Sequence, residues 1–406
     1  MEVGLPICPV FAYIYTMEYI RTLTRQLKKT SKEFPVVAIM GPRQSGKTTI
    51  AKSVFPAAAY YSMEDPDIRA YAENDPRGFL SNSKGPLIID EAQRVPHLFS
   101  YIQTIVDERK KDGQFIITGS SNFLLHQSIT QSLAGRVGIH RLMPMGTDEL
   151  MANEIFPDSL PDLLLKGGYP VLYKKKIRPD SWFSNYIQTY LEKDVRQLQQ
   201  IGNLSLFQRF LKTCALRCGQ LINLSNIGSD LGISHHTVNQ WISVLEASFI
   251  VFRLSPYHEN IGKRLVKSHK LYFYDTGLAA YLAGMRKKSD YAIHPMKGAF
   301  FENFIISEYI KSSYHRGELP NIHFWQDKSG NEIDIYIPGI KYTRLIECKA
   351  GSTYQEEFNK NILHYIKANP TKACKSEIIY GGDKNIKNGS INVNSWRELP
   401  ALMIKS

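Results

Sequence analysis

Residues 36–50 read VVAIMGPRQSGKTTI, and the reading of this stretch decides the fold. Gly41, four residues, Gly46, Lys47 and Thr48 give the spacing of a phosphate-binding loop. Glycines let the backbone turn tightly, so that successive N–H groups face inward and cradle phosphate oxygens. Lys47 is placed to reach the terminal phosphates and Thr48 to ligate Mg²⁺, with Pro42, Arg43, Gln44, Ser45 and Thr49 completing the nucleotide-binding set. The apolar run before the loop fits a buried parallel strand. The run after it fits a helix, whose N-terminus favours an anion. The competing reading is a Gly/Ser turn with a chance lysine.

Downstream, Ala57–Ser62 reads as a second strand, followed by an acidic turn and a helix through Tyr71–Glu73. Pro86–Glu91 is an apolar strand ending in two carboxylates. Asp90 is expected to hold Mg²⁺ through a water, and Glu91 to orient and deprotonate an attacking water. Phe115–Thr118 is a further buried strand, ending in Gly119-Ser120-Ser121-Asn122. One of these polar residues is placed to sense a γ-phosphate, or the segment is a plain turn. Arg136 follows Gly135 and reads either as an arginine finger, in cis or in trans, or as a surface ion-pair partner.

This order of motifs resembles the AAA-type ATPases. More narrowly, it is similar to a bacterial and archaeal ATPase family with a C-terminal region of unassigned function. The resemblance rests on FPVVAIMGPRQSGKTT, YYSMEDPDIRAYAENDP, LIIDEAQRVP, ITGSSNFLL and SLAGRV, then GGYPVLY, YLEKDVRQL, YFYDTGLAAYL and GAFFENFI. It covers most of residues 17–350 and implies an AAA+ core, a winged helix and a nuclease-like end.

Composition bounds the rest. A chain of 406 residues, 43% hydrophobic and 22% charged, has the makings of two or three globular domains. The net charge of +12 points to a polyanionic partner, nucleic acid ahead of an anionic membrane, or to a solvated basic surface. Five scattered cysteines argue against a disulfide framework and for a reducing, cytoplasmic location, with Cys214 and Cys218 as buried core thiols. Leu5–Thr16 is apolar but too short to span a bilayer, and no positive charge precedes it as a signal peptide requires. Residues 1–16 are set aside as an uninformative extension. A helix with a basic polar face is expected from Met17, where translation can also start.

Residues 151–205 read as a helical linker or lid with a turn at Gly167–Pro170, and Trp182, Tyr186, Tyr190 and Leu191 at helical spacing. Glu192, Lys193, Asp194 and Arg196 read as a solvated face, or line an ATPase interface. Residues 206–290 give a helix, a turn at Gly232-Ile233-Ser234 with Ser234 as N-cap, and a second helix over His235–Ala247. Strands near Phe249–Arg253 and Leu271–Tyr274 enclose Lys263, Arg264, Lys267 and Lys270, the makings of a basic wing. In such a winged helix-turn-helix, His235, His236, Asn239 and Gln240 are the residues that would meet base edges, and Lys263 and Arg264 phosphates.

Residues 291–406 open with a long helix from Lys297. Strands Glu332–Ile337 and Leu345–Lys349 follow, joined at Pro338-Gly339. Alternate side chains of a strand share a face, so Glu347 and Lys349 point one way and Cys348 the other. Asp334, Glu347 and Lys349 resemble the PD-(D/E)xK nuclease site, with Ile333 at the proline position. Glu302 matches the helix acid that some members add to the metal set of Asp334 and Glu347. In that resemblance Glu347 and Lys349 serve catalysis.

The expected fold class is α/β: a P-loop AAA+-type parallel sheet domain (17–150), a helical linker or lid, a winged helix-turn-helix, and a C-terminal restriction-endonuclease-like domain. The expected chemistry is Mg²⁺-dependent ATP hydrolysis coupled to action on DNA, with a homo-oligomer in play if Arg136 acts across subunits. The alternative is a nucleotide-gated regulatory or scaffold protein that cleaves no DNA.

Overall fold

The computed structural model describes residues 19–81, 85–120, 129, 131–191, 203–258 and 269–404. Its first sheet contains β1 (Val36–Met40), β2 (Ala59–Ser62), β3 (Leu87–Asp90), β4 (Phe115–Gly119) and β5 (Val137–Arg141). All neighbours run parallel, in the order β2-β3-β4-β1-β5. Every residue of β1 is buried, as expected of a strand covered on both faces. Val37 and Ile39 join a core with Ile50 and Val54 of the P-loop helix (Lys47–Val54), while Val36, Ala38 and Met40 face the larger core. This arrangement sets the carboxyl ends of β1, β3 and β4 side by side, the position where open α/β sheets bind ligands.

At two places the structure departs from the sequence reading. β5 was not foreseen from the sequence. The first helix spans Thr24–Thr30, and Arg21 just before it is buried instead of lying on a basic face. Helix Leu160–Lys166 packs against helix Thr276–Leu282, and Asp275 accepts from the Gly168 amide at 2.7 Å.

The helix pair of the middle segment matches the expected register. Helix Leu224–Leu231 is followed by helix His235–Ala247, where the Ser234 hydroxyl accepts from the Thr237 amide at 3.1 Å. Val238, Trp241, Ile242 and Leu245 are buried. β6 (Val251–Leu254) and β7 (Lys270–Phe273) pair antiparallel behind them. Lys263, Arg264 and Lys267 lie outside the described residues, as do Cys8, Met17, Ser121, Asn122, Glu192, Lys193, Asp194 and Arg196.

The last sheet contains β8 (His323–Gln326), β9 (Glu332–Ile337), β10 (Thr343–Lys349), β11 (Cys374–Tyr380), β12 (Ile386–Asn388) and β13 (Ile391–Ser395). Its order is β12-β13-β11-β10-β9-β8; the last two strands to appear in sequence were not anticipated. β9 is antiparallel to β8 and β10, whereas β10, β11 and β13 run parallel. Across from β9, His323 pairs with Tyr336 and Trp325 with Ile333, so β9 carries one extra residue, a bulge. A 19-residue helix, Lys297–His315, is buried on nearly every face between this sheet and the preceding elements. Among the described residues, no helix is long and apolar enough to cross a membrane.

His140 on β5 ties the sheet to the first helix, its Nε2 2.8 Å from the Thr30 hydroxyl. Burial pushes its pKa down to about 4, against an ordinary value of about 6.5 in the unfolded chain. The folded form therefore excludes a proton that the unfolded form takes up, and stability is lost as pH falls from about 6.5 towards 4. We predict that the stability advantage of wild type over His140→Asn shrinks by about 2 kcal/mol between pH 7.5 and pH 5. Urea unfolding at both pH values measures this; a difference that does not move with pH would contradict it.

Candidate functional site

The phosphate loop leaves β1 at Gly41, whose φ is +153° and whose missing Cβ would stand 2.1 Å from the Leu142 carbonyl oxygen. No other residue fits that approach without moving the chain. The loop enters its helix at Gly46. Lys47 is buried and donates to the carbonyls of Gly41 and Pro42 at 3.0 and 2.8 Å. Thr48 donates to Asp90 Oδ2 at 2.9 Å, as does Tyr60 at 2.8 Å, and Thr118 donates to Asp90 Oδ1. Burial, then the Asp90 charge, pushes the Tyr60 phenol well up, so it stays a donor.

Glu91 follows at φ +53°, a left-handed conformation rare for a non-glycine residue and common where a site holds backbone strain. Its carboxylate accepts from Ser120 at 2.9 Å and from Gln93. Gln44 in the loop is also left-handed, at φ +64°. Gly46, Lys47, Thr48, Thr49, Asp90 and Glu91 line one cavity of about 520 Å³, together with Arg43 and Gln44. Pro170, Val171, Lys174 and Lys175 form another part of its wall. The sequence signal for these lysines is weak: they follow the Gly167–Pro170 turn at no spacing that marks phosphate binding.

Beneath the loop lies an ion pair that sequence reasoning missed. Arg21 donates to Ser45 O at 2.8 Å and Met143 O at 2.7 Å, and its Nε is 3.0 Å from Glu149. Both side chains are buried. Burial works against the Glu149 charge, but the Arg21 guanidinium outweighs it and holds the carboxyl below the usual range. Arg136 is elsewhere. It grips Asp107 with two nitrogens, at 2.6 and 2.9 Å, and its carbonyl accepts from Val36 at the entrance of β1. The phosphate loop is at the exit of β1, so Arg136 does not face the loop of its own chain.

The second constellation gathers at β7, β9 and the long helix. Glu302, Glu332 and Asp334 bring one carboxylate oxygen each within 4.8 Å of one another. Lys270 donates to Glu302 at 3.1 Å and to Glu332, and Tyr272 donates to Glu302. Asp334 accepts from the Cys348 amide at 2.7 Å. Glu347 is not in the converging group; it pairs with Lys349. Of the expected metal set of Glu302, Asp334 and Glu347, the first two converge, and Glu332 joins them. Lys270, expected on a basic wing, is corrected to a buried lysine inside β7. Glu332 was legible in principle, since Glu332 and Asp334 are two apart on a strand.

Burial, then the Asp334 charge, pushes the carboxyls of Glu302 and Glu347 up. Burial alone would lower Lys270 and Lys349, but the surrounding carboxylates outweigh it and hold both ammonium groups charged. On the middle helix, His235, His236, Asn239 and Gln240 are exposed, and Asn239 accepts from Arg253 at 3.1 Å.

Three family models match the chain: an AAA domain over residues 33–151, a "Domain of unknown function (DUF8612)" over 157–289, and a "Domain of unknown function (DUF4143)" over 297–399. The "Uncharacterized protein Rv2008c" of Mycobacterium tuberculosis is 31% identical over 322 residues, 78% of this chain and 70% of that protein. A Haemophilus influenzae protein is 25% identical over 248 residues, 58% of this chain and 60% of its own length. Among solved structures, the Walker-type ATPase PABY2304 of Pyrococcus abyssi aligns over 64% of this chain and 94% of its own, at 15% identity and a TM-score of 0.45. On the identity and coverage of the mycobacterial relative, the chain belongs to the same family as that protein, and its first sheet is an AAA-type P-loop ATPase domain.

Proposed function

We propose that this chain binds ATP with Mg²⁺ in the cavity beneath Gly41–Thr49, hydrolyses it, and passes the nucleotide state to the middle and C-terminal units, which act on DNA. One observation carries the reading: Lys47, Thr48, Asp90 and Glu91 converge on a single cavity of about 520 Å³, within the range that holds small ligands. The oxygen donors of Thr48 and Asp90 are the hard ligands Mg²⁺ takes. When bound, the ion would offset phosphate charge there. Lys47 and the loop amides stabilise the negative charge that develops on the transferring phosphoryl group. Glu91, oriented by Ser120 and Gln93, holds the attacking water and takes its proton. The described cysteines, all free thiols, suit a reducing cytoplasm.

DNA is the partner favoured by the net charge of +12 and by the exposed His235, His236, Asn239 and Gln240 on the second helix of a winged helix-turn-helix. A second reading, a nucleotide-gated scaffold that binds without cutting, is favoured by the pairing of Lys270 with Glu302 and Glu332 in the restriction-endonuclease-like unit. Arg136, at the opposite end of β1 from its own loop, serves as a finger only for a neighbouring subunit.

Lys47→Ala is expected to remove ATP turnover. Glu91→Gln should bind ATP as wild type does and turn it over about 10²-fold or more slowly. Steady-state phosphate release with parallel nucleotide titration tests both; unchanged turnover in Lys47→Ala would refute the reading. Arg136→Ala should lower turnover by about 10³-fold while nucleotide affinity holds. Adding the Lys47→Ala chain to it should restore part of the rate, because each chain supplies what the other lacks. No recovery on mixing counts against action across subunits.

A further inference from the structure

Lys270 is 4% exposed, and its ammonium sits among carboxylates that come from other elements. Glu302 belongs to the long helix and Glu332 to β9, whereas Lys270 belongs to β7. The ammonium bonds to both of them, and the Phe324 ring lies 5.4 Å away. Asp334 completes the group from the same strand as Glu332, two residues on. An ordinary buried ion pair matches one cation to one anion; here two carboxylates bond one ammonium and a third converges on them, with Tyr272 as an added donor to Glu302. The neighbouring Lys349 is already paired with Glu347.

Three convergent carboxylates form a hard-oxygen donor set of the kind that takes Mg²⁺ or Mn²⁺. Two of the three, however, already give an oxygen to the lysine. A divalent ion held by the same carboxylates would lie close beside the ammonium, and like charges at such a distance repel, so the two compete for the site. We propose that Lys270 is the resident cation of this carboxylate site: it takes the seat of a divalent metal, and a metal enters only in its place. In this conformation the site is closed to metal-dependent chemistry by a side chain of the preceding segment. This holds whether or not the phosphate loop turns over ATP.

Removing the ammonium while keeping a long unbranched side chain tests this. Mn²⁺ binding to nucleotide-free full-length protein is followed by electron paramagnetic resonance for wild type, Lys270→Met and Lys270→Gln. Each variant should gain one Mn²⁺ site per chain that binds at least tenfold tighter than any Asp334-dependent site in wild type. Adding Asp334→Asn to Lys270→Met should remove it. The thermal midpoint of each Lys270 variant should rise by several degrees with Mn²⁺, whereas that of wild type should not. Wild type holding an Asp334-dependent Mn²⁺ as tightly as the variants would overturn the proposal. So would folded variants that gain no site. If both variants fail to fold even with Mn²⁺ present, the proposal is also overturned, because a cation that shares the seat must replace the lysine.

Discussion

Arg21 donates to the backbone of the phosphate loop at Ser45 and to the backbone after β5 at Met143, and it pairs with Glu149, all within a buried site. Removing one partner of such a pair strands the other charge in the interior, at a cost of about 3–5 kcal/mol. That is a large part of the stability of a typical domain, about 5–15 kcal/mol. The Ser45 carbonyl of the loop is thus tied to this charge-assisted scaffold. Glu149 in turn accepts from the Thr22 amide at 2.8 Å, which fixes the chain segment that carries Arg21. The two residues thereby hold each other's backbone in place.

The same cluster reaches the other end of the molecule through one helix. His315, fully buried near the end of the long helix, accepts from the Met143 amide at 3.2 Å and lies 3.5 Å from Glu149. Burial pushes its pKa down to about 4, so it meets Glu149 as a neutral ring. One turn or two earlier, Glu308 accepts from the Thr147 amide and Lys311 donates to Met145 O at 3.2 Å. Glu302, near the start of the helix, enters the carboxylate group around Lys270. Thirteen residues separate Glu302 from His315, a span of about 20 Å at 1.5 Å per residue. A helix buried on nearly all faces has no freedom to bend between them, so it links the underside of the phosphate loop to the second constellation as a rod.

What could be read from the sequence was what is local. The phosphate loop is a contiguous pattern, and helix His235–Ala247 announces itself by Ser234 and by the spacing of Val238, Trp241, Ile242 and Leu245. β5 was hidden because Gly138, His140 and Arg141 dilute its apolar pattern, and β13 because Asn392 and Asn394 alternate through it. The buried charges were hidden for a different reason. Lysine and arginine are almost never fully buried unless paired, so Lys270 and Arg21 read as surface residues until their partners, far away in sequence, were in view. The bulge in β9 has no sequence mark at all.

If ATP occupies the cavity, its influence on the distal units has to travel through differences in contact between two arrangements, since a ligand that binds both equally shifts neither. The contacts that a phosphate would compete for are specific. Lys47 now spends its ammonium on the carbonyls of Gly41 and Pro42, and Thr48 its hydroxyl on Asp90. Drawing either away relaxes the loop against Ser45, whose carbonyl is held by Arg21. Arg21 cannot follow the loop without loosening Glu149 or Met143, and both of those touch His315. The polar chain from loop to helix is therefore short, buried and without slack. A displacement at the phosphate end is resisted or transmitted, and packed interfaces of this kind settle into discrete arrangements instead of deforming continuously.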